Sequence, residues 1–81
     1  MRKLLMGEAW CRVSQVRYYL LEEDSEEPVA YGVQVELEGE EASVMNLSPS
    51  RQKVEALAKS MILGAVTPVA VRDVVDDWLL E

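Results

Sequence analysis

Apolar and polar residues alternate along residues 30–38, AYGVQVELE, and this alternation predicts a β-strand. The two rows are Tyr31, Val33, Val35 and Leu37 on one face, and Gly32, Gln34, Glu36 and Glu38 on the other. One row is apolar and the other is mostly polar, so we expect one covered face and one face in water. Gly32 indicates a bulge or the close approach of another chain.

Residues 12–23, RVSQVRYYLLEE, are rich in β-branched and aromatic side chains and predict another strand. Its two rows are Val16, Tyr18 and Leu20 on one face, and Arg17, Tyr19 and Leu21 on the other. Because both rows contain apolar side chains, we expect a neighbouring element or a second subunit to cover the second face. An acidic loop follows at 22–28, and residues 42–47, ASVMNL, predict a short third strand.

The hydrophobic period then changes to that of a helix. A Ser-Pro pair at 48–49 begins the first predicted helix and Gly64 ends it, while a Thr-Pro pair at 67–68 begins the second. We therefore predict one α+β domain over residues 1–81, with a three-stranded antiparallel β-meander followed by two helices packed on one face. Residues 1–9 either form a flexible arm or pair with a sheet edge.

The last predicted helix has an apolar face and an acidic face, at about 100° per residue. The apolar face, expected to pack on the sheet, consists of Val71, Val74, Val75, Trp78 and Leu79. The opposite face consists of Asp73, Asp76 and Asp77, with Val69 and Leu80 at its ends. The aspartates lie three and four positions apart and repel one another, so local helix stability does not explain them. Two interpretations stay open, a solvated face or a contact surface for a partner.

The net charge of −7 is unevenly distributed: +3 over residues 1–21, −9 over 22–41 and −1 over 42–81. Without a cluster of Lys and Arg, we expect no binding to nucleic acid or to anionic membranes. A basic protein partner fits this charge, and an acidic nucleic-acid mimic acting through residues 22–41 is one alternative.

Candidate chemistry is scarce, because the chain has no histidine and one cysteine, Cys11. Cys–His and Ser–His catalysis and the usual zinc sites are excluded, and a lone thiol is typical of a reducing compartment. The apolar run of Leu4–Met6 is too short for a signal peptide, so we expect a cytoplasmic protein without cofactor or metal. The remaining enzymatic alternative is a metal-dependent or carboxylate site at Asp73, Asp76 and Asp77.

Four segments follow one another in a characteristic order: RYYLLEE (17–23), YGVQVE (31–36), NLSPSRQKVEALAKSM (46–61) and VTPVAVRDVVDDWL (66–79). Together they resemble a domain-of-unknown-function family of small bacterial proteins, typical of Firmicutes. The positions that match its motifs are Tyr31, Gly32, Pro68, Asp73, Asp77 and Trp78. The resemblance implies no known activity. Ala70 stands where the family often has a histidine, so no role of that histidine carries over.

We therefore expect a non-enzymatic protein-interaction or regulatory module that binds a protein partner or a second copy of itself. The expected contact residues are Val69, Asp73, Asp76, Asp77 and Leu80 in the last helix, with Tyr19 and Leu21 in the first predicted strand.

Overall fold

The computed structural model describes residues 1–25 and 27–80, in which four β-strands rather than the predicted three form one sheet. The strands are β1 (Arg2–Cys11), β2 (Ser14–Glu23), β3 (Ala30–Leu37) and β4 (Glu40–Ser48). Each strand pairs antiparallel with the next, in the order β1-β2-β3-β4, which confirms the antiparallel sheet. The helices α1 (Arg51–Leu63) and α2 (Val71–Leu79) follow, so the α+β class is confirmed.

Strand β1 was not predicted, because a β-bulge interrupts its alternation. The pairing with β2 shifts between Leu5 and Gly7, which leaves Met6 as an extra residue. Leu4 packs against the core before the bulge and Ala9 does so after it. The inward positions therefore change from even to odd numbers, and no single period of two runs through the strand. Of the two expectations for the N-terminal residues, pairing with a sheet edge is the one that the structure confirms.

The core lies between one face of the sheet and the two helices. The inward residues of β2 and β3 are at most 1% exposed, namely Val16, Tyr18, Leu20, Val33 and Val35. The helices complete the cluster with Val54, Leu57, Ala58, Met61, Val71 and Val75. Each such side chain contributes about 1.5–3 kcal/mol when it is fully buried. Helix α1 contacts all four strands and α2 contacts β4, so both helices cover the same face.

The helices begin later than predicted. Ser50 caps α1, since its hydroxyl accepts a hydrogen bond of 3.3 Å from the backbone N–H of Lys53. Thr67 makes no capping hydrogen bond with its side chain, and a 3₁₀ turn at Pro68–Ala70 comes before α2. The Ser-Pro pair at 48–49 and the Thr-Pro pair at 67–68, which were predicted to begin the helices, lie just before them. Such pairs also begin turns, and this is why the predicted helix starts are too early.

The end of α1 is displaced by one residue from its predicted position. The left-handed residue is Ala65, with φ 49, whereas Gly64 has φ −89. The Ala65 N–H bonds to the Ile62 carbonyl at 3.1 Å, and the Val66 N–H bonds to the Met61 carbonyl at 3.0 Å. This is the Schellman pattern, in which two orphan carbonyls at the helix end find donors.

Gly32 makes room for β4 to approach β3 closely. The pairing of these strands shifts between Tyr31 and Val33, where β4 holds two extra residues opposite Gly32. A Cβ at Gly32 would collide with the Val44 carbonyl oxygen and lie 2.8 Å from the Met45 Cα. The closely approaching chain is thus the next strand of the same molecule.

The acidic loop is shorter than predicted, because β2 continues to Glu23. Glu26, within the predicted loop, lies outside the described residues. No helix within residues 1–25 and 27–80 has the length and apolar character needed to cross a membrane.

Candidate functional site

Helix α2 buries a narrower face than its helical angles predict. Val71 and Val75 are at most 1% exposed, and Val74 and Trp78 are partly buried against the core. The predicted packing role of Leu79 is wrong, since 56% of this residue is exposed. Leu79 is the last residue of the helix and lies about 80° from Val71 around the helix axis, at the margin of the apolar face.

The acidic face of α2 consists of Asp73, Asp76 and Asp77, which are all exposed. Val69 and Leu80 stand at its two ends and are 82% and 86% exposed. Among the described residues, every ion pair joins residues outside this face. Within the part of the chain that the structure describes, these carboxylates therefore have no ion-pair partner, and exposed apolar side chains bound them at both ends.

A shallow groove of about 410 Å³ runs beside this face, between α1 and α2. Its lining consists of Ala56, Leu57, Ser60, Val74, Asp77 and Trp78. A second depression of about 400 Å³ is lined by Lys53 and Leu79 and shares Trp78 and Ala56 with the first. Trp78 thus lines both depressions, and Asp77 connects the first one to the acidic face. This groove was not predicted, because it needs the relative position of two helices.

Tyr18 positions the segment from which α2 starts. Its hydroxyl donates a hydrogen bond of 2.8 Å to the backbone carbonyl of Val66, in the connection between the helices. The pKa of Tyr18 is raised, chiefly because burial disfavours the charged phenolate. Val66 also packs against the core, so the connection is held to β2 by a hydrogen bond and by apolar contacts.

The structure does not bring Tyr19 and Leu21 together with the α2 surface, because they lie on the helix-free face of the sheet. Leu21 is 1% exposed and has no area to offer a partner. It lies between Lys3 and Gly32 of the neighbouring strands, and Met45 fills the space above Gly32. The cover expected for this face is thus provided at Leu21 by the chain itself. Tyr19 is partly buried, with the Lys3 ammonium 4.2 Å from its ring centroid.

Polar groups on the helix-free face pair with one another. The Lys3 ammonium donates to the Glu36 carboxylate at 2.5 Å, and the Gln34 amide donates to the same carboxylate at 2.7 Å. The hydrogen bond between Lys3 and Glu36 lowers the pKa of Glu36 and raises the pKa of Lys3. These side chains form a satisfied network on an exposed surface.

The alternative of a metal site at the three aspartates has no supporting geometry. No three His, Cys, Asp or Glu residues are arranged to hold a metal ion anywhere in residues 1–25 and 27–80. Asp73, Asp76 and Asp77 are all exposed on one helix, whereas a calcium ion takes about 6–8 oxygen ligands.

The described acidic residues of the 22–41 segment, which exclude Glu26, are divided between two ends of the sheet. Glu22 is buried beside Arg2, at 3.4 Å, at one end. Glu38 and Glu40 flank the β3–β4 turn at the other end, about 27 Å away for an eight-residue strand. This division weakens the alternative of an acidic nucleic-acid mimic, which needs one continuous acidic surface.

The fold and surface define a class of small α+β protein, with a four-stranded meander covered on one face by two helices and an acidic face on the last helix. The chain belongs to a family of unknown function (DUF6514), whose model matches residues 6–81. This match confirms the resemblance at the level of an unknown-function family. No curated protein and no solved structure matches the chain.

Proposed function

We propose that this protein is a non-enzymatic interaction module that binds a basic, amphipathic segment of a partner protein through the exposed face of α2. The observation that carries the proposal is the group of three carboxylates between Val69 and Leu80, which form no ion pair within residues 1–25 and 27–80. Their spacing costs about 0.2–0.5 kcal/mol for each like-charged pair. Asp76 and Asp77 also lie near the helix C-terminus, where the dipole disfavours anions.

A partner helix with basic residues along one side and apolar residues along the other complements this surface. Its cations would face the three aspartates, while its apolar side chains would enter the groove beside Trp78. Val69 and Leu80 would cover the two ends of the contact. The apolar contacts would supply most of the affinity, and the charges would select and orient the partner. The proposal places this interaction in the cytoplasm of a Firmicutes-type bacterium, as the lone Cys11 and the family resemblance suggest.

The test is a titration of the protein with a fluorescein-labelled synthetic helical peptide made of Lys, Leu and Ala, read by fluorescence anisotropy. We expect saturable binding that weakens as salt is added. Replacing the acids together, with Asp73→Asn, Asp76→Asn and Asp77→Asn, should weaken binding at least about tenfold, the effect of losing about 1.4 kcal/mol.

A matched control changes the net charge equally at a distance from α2, with Asp24→Asn, Glu38→Gln and Glu40→Gln, which are all exposed positions. We expect this control to keep the wild-type affinity within about twofold, because its charges belong to the β2–β3 connection and the β3–β4 turn rather than to α2. The proposal fails if the control loses as much affinity as the α2 variant, since binding then follows net charge alone. A larger loss in the control would support the acidic-mimic alternative.

A further inference from the structure

We infer that β1 pairs antiparallel with β1 of a second copy, which gives a two-fold dimer with a continuous sheet. In the order β1-β2-β3-β4, β1 is an edge strand of ten residues. Such an edge presents a row of backbone N–H and C=O groups without strand partners, and it is a template for another strand. This surface lies at the opposite edge of the sheet from α2, which contacts β4.

On the helix-free side of β1, apolar and charged side chains alternate along the strand. Its row consists of Lys3, Leu5, Glu8 and Trp10, as their pairing with β2 shows, and Met1 continues it. The apolar members are 71%, 56% and 65% exposed, for Met1, Leu5 and Trp10. Along the edge the row therefore reads apolar, basic, apolar, acidic, apolar.

This row is complementary to itself when a second copy runs in the opposite direction. With the bulge counted as one position, Leu5 meets Leu5 at the two-fold axis and Lys3 meets Glu8 on either side of it. Met1 then meets Trp10 at the outer positions. Opposite charges and aromatic–aliphatic pairs that face each other across antiparallel strands are stabilising. A slip of one residue would bring residues of opposite faces together, so the row specifies its register.

The row on the helix side of β1 accepts the same register. Leu4 would meet Gly7, and Arg2 would meet Ala9, so that each large side chain faces a small one. Ile62 of α1 already fills the space over Gly7, with its Cδ1 atom 2.7 Å from where a Cβ would lie. Leu4 and Ile62 are only partly buried in one copy, and the seam would cover them further.

The opposite edge of the sheet does not offer an equivalent surface. Asn46 has a φ of 58, which interrupts β4, and β4 holds two extra residues opposite Gly32, whereas β1 holds only the one extra residue Met6. The charges favour β1 as well. Residues 1–21 carry +3 and residues 22–41 carry −9, so two copies joined through β1 keep their most acidic regions apart.

The first test is sedimentation equilibrium of the full chain over a range of concentrations. We expect a reversible monomer–dimer equilibrium without larger species, because a two-fold contact closes on itself. Leu5→Lys puts two ammonium groups at the axis and should abolish the dimer. Leu63→Lys, at a residue of α1 that is 89% exposed, is the matched control and should leave it intact.

The second test uses two charge reversals, Lys3→Glu and Glu8→Lys. In a dimer of either single variant, residues 3 and 8 face each other with like charges at both of the symmetry-related contacts. Each variant alone should therefore weaken the dimer about tenfold or more. An equimolar mixture should restore association close to the wild-type level, because each new acid then faces a new base. Lys3 and Glu8 also have partners within the chain, Glu36 and Arg17, and this loss is the same in the mixture. The rescue therefore reports the intermolecular register alone.

Three results would overturn the inference. They are a wild-type chain that stays monomeric at every concentration, a dimer that survives Leu5→Lys, and a mixture that stays as weak as the single variants. Circular dichroism of each variant shows whether the chain still folds. The peptide titration of α2 is read independently, since the dimer leaves that helix accessible.

Discussion

The two faces of the sheet both contain fully buried leucines, but they bury them in different ways. On the helix-covered face, Leu20 belongs to a cluster formed by two strands and two helices. On the helix-free face, Leu21 is closed in by its neighbours within the sheet, Lys3 and Gly32, and by Met45 above Gly32. The first site is surrounded by fixed elements and the second by long, flexible side chains. Although Leu20 and Leu21 are equally buried, they should therefore not contribute equally to the free energy of unfolding.

The largest expected effect comes from comparing Leu20→Ala with Leu21→Ala, since the two residues are 0% and 1% exposed. Leu→Ala substitutions cost about 2–5 kcal/mol, depending on how far the site can collapse into the cavity. We expect Leu20→Ala to cost about 4 kcal/mol and Leu21→Ala about 2 kcal/mol, because Met45 and the Lys3 chain can move into the space. Urea unfolding measures both, and equal costs would show that the two faces are equally rigid.

The features that were predictable from the sequence are those that repeat locally. Val33 and Val35 follow a period of two, and Val54, Leu57, Ala58 and Met61 follow a helical period. Such rows reflect one element packing against one surface, so they can be recognised without knowing the rest of the molecule. The acidic face of α2 was found for the same reason.

The features that were not predictable depend on two elements meeting. The extra residue Met6 in β1 reverses the inward row, so the strand has no regular pattern. The cover over Leu21 depends on the pairing shift that brings Met45 over Gly32. Leu79 was assigned to the core from its helical angle, but its exposure depends on where α2 ends relative to the sheet.

A pair of glycine substitutions sharpens the comparison between the two faces. The larger loss of stability is expected on the helix-free face, although the main core lies on the other face. Gly32→Ala, on the helix-free face, drives a methyl group into the backbone of β4. We expect a cost of about 3 kcal/mol, the upper range for overpacking. The three atoms nearest to the methyl group of Gly7→Ala, on the helix-covered face, all belong to the Ile62 side chain, and the one that is too close is the terminal Cδ1 atom, which can rotate away. The expected cost of Gly7→Ala is about 1 kcal/mol or less. Thermal unfolding of both variants tests the order, and a costlier Gly7→Ala would contradict it.

The smallest expected effect concerns the charges of the helix-free face, where Lys3 and Glu36 pair in a largely exposed position. The lowered pKa of Glu36 stabilises the fold at pH values above the ordinary glutamate pKa of about 4.3. This contribution disappears as the pH falls through the lowered pKa. The raised pKa of Lys3 stabilises the fold at pH values below the ordinary lysine pKa of about 10.4. This contribution is lost as the pH rises through the raised pKa. Between these limits both contributions are constant, so this pair makes the stability depend on pH only below about 4.3 and above about 10.4.

An NMR titration of the Glu36 side-chain carboxyl carbon measures this pair directly. In Lys3→Met, a substitution that keeps the chain length but removes the charge, the pKa of Glu36 should rise toward its ordinary value. Arg51→Met is the control, because Arg51 pairs with Glu55 on α1 and should leave the pKa of Glu36 unchanged. If Lys3→Met leaves the pKa of Glu36 where it was, the carboxylate is held by other donors such as Gln34. The helix-free face would then depend on hydrogen bonds from neutral donors rather than on this ion pair.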